Sequence, residues 1–563
     1  MQQAASEANG DRPWLKSYPP GVDWAAPIPV KPMSALLDEA VARHGPKPCI
    51  DFLDRRYSYA DIGRLVNRAA KGFKALGVGP GVKVGLCLPN TPYFVICFFA
   101  VLKAGGTLVN FNPLYSEREL AHQIEDSECE MMVSIDLASL YGRLAGVIGH
   151  SRLKKVVVCR MAEALPFPRN LLYPWVMRRD LAHVPADDIH IPFDRLIAND
   201  GVFEAAPIDP ANTVALLQYT GGTTGVPKGA MLTHANLYAN AEQCARWFAH
   251  VGEGPKRTLG VLPLFHVFAM TVVMSWAVHE GAEMVLLPRF QVNELLKTIT
   301  RKKPTAMPGV PTLFNAILNA PDLVKYDLSS LHYCISGGAS LPNELRLDFE
   351  RVTGSRLLEG YGLSETSPVV CCNPVEGESR AGSVGLPYPA TCIRIYSLGE
   401  PRQPLPIGET GEICASGPQV MAGYWKRPDE TASVMIDGFF ATGDVGHMDQ
   451  DGYVFITDRL KDMINASGFK IYPRNIEEAI LLHPAVLECA VVGLPDAYRG
   501  QTVKAFIALK PGAALTSDEL KRFLADKLTP IEMPKQIEFR TTLPKTTVGK
   551  ISKKMLLEEG KAA

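Results

Sequence analysis

The chain has 563 residues, 47% hydrophobic and 21% charged, the composition of a globular protein with ample sequence to bury large cores. Its 58 basic and 59 acidic side chains leave a formal net charge of −1, so no bulk attraction to nucleic acid or to an anionic membrane is expected. The 12 cysteines include no C-x-x-C pair, and adjacent Cys371 and Cys372 are badly placed to bridge each other; a disulfide framework or cysteine zinc site is disfavoured and a reducing compartment suits the pattern.

Residues 1–30, rich in Pro, Gly and Ala, read as an N-terminal tail or surface strap without the apolar core of a signal peptide. The longest apolar runs, FVICFFAVL (94–102) and VFAMTVVMSWAV (267–278), fall short of the ~20 residues of a membrane-spanning helix. A soluble, cytoplasmic protein is expected. From Met33 onward helical and strand periods alternate. MSALLDEAVARHG reads as an amphipathic helix closed by a glycine C-cap. ADIGRLVNRAAKGFKALGVG is a second helix, followed by the buried strand VKVGLCLPN. The glycines Gly77, Gly79 and Gly81 lie between helix and strand, where a turn is needed; a dinucleotide fingerprint lies between strand and helix. TPYFVICFFAVLKAG (helix), GTLVNFNP (strand), SERELAHQIEDSE (helix with a Ser-led, acidic start), MMVSID and KKVVVC continue the series. The pattern is α/β, with parallel-type sheets and covering helices.

Residues 160–200 interrupt it. ALPFPRNLLYPWVMRRDLAHVP mixes Pro, Trp, Tyr and Leu with the Arg178–Arg179 pair. Two readings stay open: an excursion packed on its own domain, or an amphipathic patch touching a membrane surface. Alternation resumes to about 390. Residues 390–457 then read as short strands and turns, a small barrel or antiparallel layer. After a charged, Gly-bearing connection, RNIEEAILLHP, LECAVVGLP, TVKAFIALK and DELKRFLADKL form a compact α+β unit of domain size. The boundary is expected near 458–461.

The stretch QYTGGTTGVPKGAMLTH (218–234) crowds Gly, Thr and Lys together. Exposed backbone N–H groups beside hydroxyls and one ammonium are what a polyphosphate binds. It is not a Walker A loop: Val226 and Pro227 separate Gly225 from Lys228, and Gly229 stands where Ser or Thr should bind magnesium. Further polar islands follow: LPLFHVFAM around His266, SGGASLP with Gly338 and Ala339, LLEGYGLSETSPVV, FATGDVG with Asp444, DRLKD, and LPKTTVGKISKK with Lys550.

Each island alone is weak, but their order and spacing are specific. LLQYTGGTTGVPKGAMLTHANL, TLFNAILN, LLEGYGLSET, GPQVMAGYWKRPDET and KDMINASGFKIYPRNIEE resemble the adenylate-forming superfamily, and within it the bacterial long-chain fatty-acid–CoA ligases, from about residue 30 to 555. The resemblance implies a large adenylate-forming domain over 31–457, with its small barrel, and a small mobile α+β domain over 458–563. It implies ATP, Mg2+ and coenzyme A as co-substrates and cofactor, a fatty acid as substrate, and no nucleic-acid partner; peripheral membrane contact through 160–200 and a homodimer stay open. By resemblance, Thr220, Gly221, Gly222, Thr223, Thr224, Gly225 and Lys228 hold the β- and γ-phosphates. Glu365, with Thr223, would bind magnesium through oxygen, and Thr366 would donate to the α-phosphate. Tyr361 would lie against adenine in a slot lined by Gly338, Ala339, Glu359, Gly360 and Gly362. Asp444 would accept the ribose hydroxyls and Arg459 would assist there. Lys550 would be the catalytic cation of adenylation. Lys461 would be the hinge about which the C-terminal domain turns, bringing Ser467 and Gly468 to the thiol path.

His266 stands where amino-acid adenylating domains carry an Asp, which favours an acid without an amine. The run 262–278 would line an acyl tunnel, and each buried CH2 is worth about 0.8 kcal/mol. Met270 stands where some long-chain members carry a gating Trp, so medium-chain or aryl acids stay open, as does an acceptor other than CoA. A nucleotide-binding relic is disfavoured by the joint presence of Glu365, Asp444, Arg459 and Lys550, and an ADP-forming ATPase by the missing Walker A loop.

Overall fold

A computed structural model describes residues 12–220, 227–249, 254–466, 469–496, 499–546 and 549–562. Local sequence signals set many of the elements. Ser58 caps the helix Tyr59–Ala75, and Asp61 returns the bond to the Ser58 backbone. Ser116 and Glu119 do the same for Glu117–Ser127. Each reciprocal pair satisfies donors that the first turn otherwise leaves unpaired. The apolar run 94–102 lies in the helix Pro92–Lys103, buried almost all round between sheet and neighbouring helices. Gly77 and Gly81 take φ of +90° and +83° in the expected turn. One cap differs: Gly45 is right-handed, with φ −37°, because the chain stays coiled there and its carbonyl accepts the Ala60 N–H at 2.9 Å.

Among the described residues three sheets organise the chain. The first has parallel strands in the order Val214–Thr220, Thr107–Asn110, Lys83–Leu86, Met131–Ile135, Lys155–Cys159 and His190–Pro192, extended by the antiparallel Lys228–Thr233 and Gly423–Tyr424. The second has a parallel half that includes Ala306–Gly309, Tyr333–Ser336 and Arg356–Gly362. It continues through antiparallel strands to Cys392–Tyr396, by way of Phe439–Met448 and Val454–Arg459. Of the small barrel or antiparallel layer expected over 390–457, the described residues form the layer: this antiparallel extension ends at Cys392–Tyr396 and does not close on itself. The third sheet, built around Val486–Asp496 and Gly500–Leu509, carries helices Pro473–Leu481 and Ser517–Leu524 and has its own core of Ile464, Ile476, Val491, Phe506 and Leu520. The fold is therefore mixed α/β, with a large N-terminal and a smaller C-terminal part.

Residues 12–30 form a strap. Trp14 is buried, the Tyr18 hydroxyl donates to Pro387 O at 2.6 Å and Trp24 Nε1 to Thr391 O at 3.0 Å. The excursion at 160–200 is anchored to its own domain through Met161, Ala164, Leu165 and the strand His190–Pro192. Its helix Arg169–Val176 nevertheless turns Leu171, Leu172, Trp175 and Val176 outward. No described helix is long and apolar enough to cross a membrane. All 12 cysteines are unpaired thiols, eleven of them buried.

Candidate active site

Lys550 follows a tight turn. Gly549 takes φ +82°, a conformation that a residue without Cβ adopts freely. The Gly549 N–H donates to Thr546 O at 2.9 Å, and Thr546 N–H to Lys550 O at 2.7 Å. The Gly549 carbonyl accepts the Thr312 hydroxyl at 3.0 Å, fastening this C-terminal turn to the large domain. The Lys550 side chain then lies across the backbone of Gly338. Its ammonium reaches a cavity shared with His266 and walled by Leu262, Phe268 and Val310. Burial lowers the Lys550 pKa to about 8; the Arg459 charge acts the same way and Asp444 opposes. Burial, with the Lys550 charge, lowers His266 to about 3, so the imidazole is neutral. His266 Nδ1 accepts the Phe268 N–H at 3.3 Å and caps the short helix after it.

The run 262–278, expected to line an acyl tunnel, meets a cavity at its start. Leu262, Pro263, His266, Phe268 and Ala269 line the cavity. Met270–Ser275 form a π-helical turn packed in the core, with Met270 fully buried. The side chains beyond Met270 pack against the helix His234–Trp247.

A second group surrounds Tyr361, the next-to-last residue of the strand Arg356–Gly362. Its hydroxyl donates to Asp444 Oδ2 at 2.6 Å, and Asp444 Oδ1 pairs with Arg459 Nε at 3.2 Å. Asp444 and Arg459 face each other on adjacent antiparallel strands. Burial and the Asp444 charge raise the Tyr361 pKa far above its ordinary value, so the phenol remains a donor. Gly362 lies so close to Pro368 O that a Cβ would stand 2.1 Å from it. Glu359 is buried. Its carboxyl accepts the Leu341 N–H at 3.1 Å and so braces the turn that carries Gly338 and Ala339. Burial raises its pKa to about 7, with Arg474 opposing.

The third group joins Glu365 to Lys228. Glu365 sits on the turn Ser364–Thr366, and its Oε1 accepts the Tyr424 hydroxyl at 2.8 Å. Lys228 stands opposite Thr220 at the open end of the paired strands Val214–Thr220 and Lys228–Thr233. Its ammonium pairs with Glu430 and lies 5.2 Å from the Tyr424 ring centre. Thr366 is fully buried, and its hydroxyl donates to Pro368 O and Leu363 O within its own turn. Gly221, Gly222, Thr223, Thr224, Gly225, Ser467 and Gly468 lie outside the described residues. Lys461 follows Arg459 in the turn that leads from the large sheet to Ile464–Ala466. No described cluster of three His, Cys, Asp or Glu side chains forms a metal cage.

The sequence of residues 37–425 matches the family model of the AMP-binding enzyme, and residues 475–550 match that of the AMP-binding enzyme C-terminal domain. The chain belongs to the AMP-binding enzyme family. A long-chain-fatty-acid–CoA ligase of Bacillus subtilis is 43% identical over 97% of this chain and 98% of its own length. A ligase of the same name from Yersinia pestis is 38% identical over 98% of each. Among solved structures, ATP-bound MatB from Rhodopseudomonas palustris is similar with a TM-score of 0.81 and 28% identity, covering 94% of this chain and 99% of that one. The anthranilate–CoA ligase AuaEII in complex with anthranoyl-AMP gives 0.83 and 26%, covering 95% and 99%.

This AMP-binding enzyme thus brings His266, Gly338, Tyr361, Asp444, Arg459 and Lys550 into one region, with Glu365 and Lys228 bridged by Tyr424 beside it. Two residues central to the geometry, Tyr424 and Glu430, carried no expected role. The signal was present, since both lie in GPQVMAGYWKRPDET, but nothing in that segment names their partners.

Proposed function

We propose that the protein activates a long-chain fatty acid in two steps: ATP and the carboxylate give an acyl-adenylate and pyrophosphate, then coenzyme A displaces AMP to give the acyl-CoA. The observation that carries this reading is the seat of Lys550, a half-buried ammonium beside a neutral His266 at an apolar-walled cavity. In adenylation a carboxylate oxygen attacks the α-phosphorus and the α–β bond breaks, its electron pair leaving on pyrophosphate. Two anions must approach, and Lys550 offsets the charge that builds between them. Lys228 and Thr220, with Gly221, Gly222, Thr223, Thr224 and Gly225, would hold the departing phosphates. Tyr361 would face adenine, and Asp444 with Arg459 would hold the ribose. The inward turn of the Thr366 hydroxyl leaves its expected contact with the α-phosphate dependent on a rearrangement of that turn.

The chain's donors fit magnesium: one carboxylate on Glu365, with a Thr223 hydroxyl and phosphate oxygens, is the hard oxygen set that this ion takes at phosphate sites. When bound, magnesium would neutralise phosphate charge. We assign 31–457 and 458–563 as the two domains, with Lys461 as the hinge that withdraws Lys550 and admits the thiol past Ser467 and Gly468. The long-chain substrate is supported by the names of the relatives and by the apolar cavity walls.

The test is AMP formation dependent on both ATP and CoA, across saturated acids from butanoate to octadecanoate. Rates that rise toward the longest acids, with no ADP, are expected. A maximum at short or aryl acids would overturn the substrate; ADP would overturn the chemistry; AMP release indifferent to CoA would overturn the acceptor.

A specific patch favours a further property, contact with anionic lipid. Trp175 is 82% and Phe167 79% exposed, and Leu171, Leu172 and Val176 share that outward face. Exposed Arg178 and Arg179 follow. An apolar face rimmed by cations suits a membrane interface. Cosedimentation with vesicles should require anionic lipid and fall in Trp175→Ser and in Arg178→Glu/Arg179→Glu; equal binding by wild type and variants would overturn it.

A further inference from the structure

The segment Gly417–Ser433 has no part in the reaction as described, yet it ties together the two sides of the phosphate site. Its strand Gly423–Tyr424 pairs antiparallel with the strand that begins at Lys228, in the register Tyr424 to Ala230. The Trp425 N–H donates to Gly229 O at 2.8 Å and the Ala422 N–H to Met231 O at 2.9 Å. One residue earlier, the Met421 N–H donates to the backbone carbonyl of Glu365 at 2.8 Å. Five consecutive residues thus fasten the lysine strand and the carboxylate turn to each other.

The side chains repeat the connection. Tyr424 donates its hydroxyl to Glu365 Oε1, while its ring lies against the Lys228 ammonium. From the short helix Pro428–Ser433, Glu430 pairs with the same ammonium. Lys228 therefore has an aromatic face and a carboxylate as neighbours before any phosphate arrives. Polyphosphate carries several negative charges against the single charge of Glu430, so it wins the lysine, whereas a weaker anion does not.

We propose that Tyr424 and Glu430 are positioning residues of the phosphate site: Tyr424 sets the orientation of Glu365 and supports Lys228, and Glu430 is a resident competitor that yields the lysine to polyphosphate and takes it back as pyrophosphate leaves. This inference rests on the ATP-dependent reading above.

Inorganic pyrophosphate and AMP are the probes, measured by calorimetry on the full chain with and without Mg2+. Glu430→Gln is expected to bind pyrophosphate on the order of tenfold more tightly, with AMP affinity unchanged and Glu430→Asp near wild type. Tyr424→Phe is expected to lose most of the gain in pyrophosphate affinity that Mg2+ gives the wild type. Both variants should keep the wild-type unfolding midpoint. Pyrophosphate affinity unchanged or weakened in Glu430→Gln would overturn the competitor role. An intact Mg2+ gain in Tyr424→Phe would overturn the positioning role. Should Glu430→Gln unfold, Glu430→Ala decides: it too should bind pyrophosphate more tightly than wild type, and an affinity equal to or weaker than wild type overturns the competitor role. Wild type that binds no pyrophosphate at all would instead overturn the ATP-dependent reading.

Discussion

Lys550 crosses Gly338 so closely that a Cβ on that glycine would stand 2.7 Å from the lysine Cε. The lysine proposed as catalytic and the turn under it belong to different parts of the chain, and Lys550 is seated on Gly338 in this arrangement. Gly338 also takes φ +78°, which an L side chain adopts only with strain. Gly338→Ala should therefore unseat Lys550 and slow adenylation on the order of a hundredfold, while thioesterification of supplied acyl-adenylate stays near wild type. Separate assays of the two half-reactions check this; equal loss in both would contradict it.

In the proposed reaction Lys550 works as a cation, and burial brings its pKa to about 8. The charged form predominates below that pH. kcat/KM for adenylation should thus be level below about pH 8 and fall as pH rises through it. In Lys550→Arg the fall should vanish, since guanidinium stays charged. Lys550→Ala should lower the adenylation rate about 10²–10³-fold. Pyrophosphate release followed across pH measures all three.

The Tyr361 hydroxyl fixes Asp444 at 2.6 Å. Hydrogen bonds to charged groups contribute about 1.5–3 kcal/mol. Tyr361→Phe should raise KM for ATP on the order of tenfold and change kcat less, because orientation of the carboxylate proposed to hold the ribose affects ground and transition states alike. Initial rates against ATP concentration check it; a loss confined to kcat would argue that Tyr361 acts on the reacting phosphate.

Away from the site, His279 Nε2 meets Glu242 at 2.8 Å and Nδ1 meets Glu280 at 3.1 Å. Burial alone would lower its pKa, but the two carboxylates raise it to about 9. A histidine whose folded pKa is raised from the usual 6.5 contributes stability that is fully present below pH 6.5 and lost as pH rises through 9. The contribution is about 3 kcal/mol. The unfolding midpoint should fall between these pH values, and His279→Gln should lower it at pH 6.5 while flattening the fall. Circular dichroism melts across pH test this; a wild-type midpoint that rises over the window would refute it.

Local order was largely legible. The capping pairs Ser58–Asp61 and Ser116–Glu119 announce helix starts because the partners are three residues apart. Glu365, Asp444 and Lys550 could be picked out because each sits in a polar, Gly-bearing interruption of an apolar background. Tyr424 could not, since its partner Glu365 is 59 residues away, and a tyrosine beside a tryptophan in a basic segment reads as ordinary packing. The helix 169–176 shows the same limit. Its apolar residues fitted packing on their own domain better than a membrane surface, and only the fold shows that they point outward.

Composition and period by themselves determined an α/β protein, and the quoted segments carried its resemblance to adenylate-forming enzymes, because such signals are local and survive without partners. The tertiary structure alone decided that Lys550 rests on Gly338, that Met270 is buried in the core, and that Lys228 pairs with Glu430. Those are contacts between residues far apart in sequence. Their energies depend on distance and burial, which are set only once the sheets pack and the two parts of the chain meet.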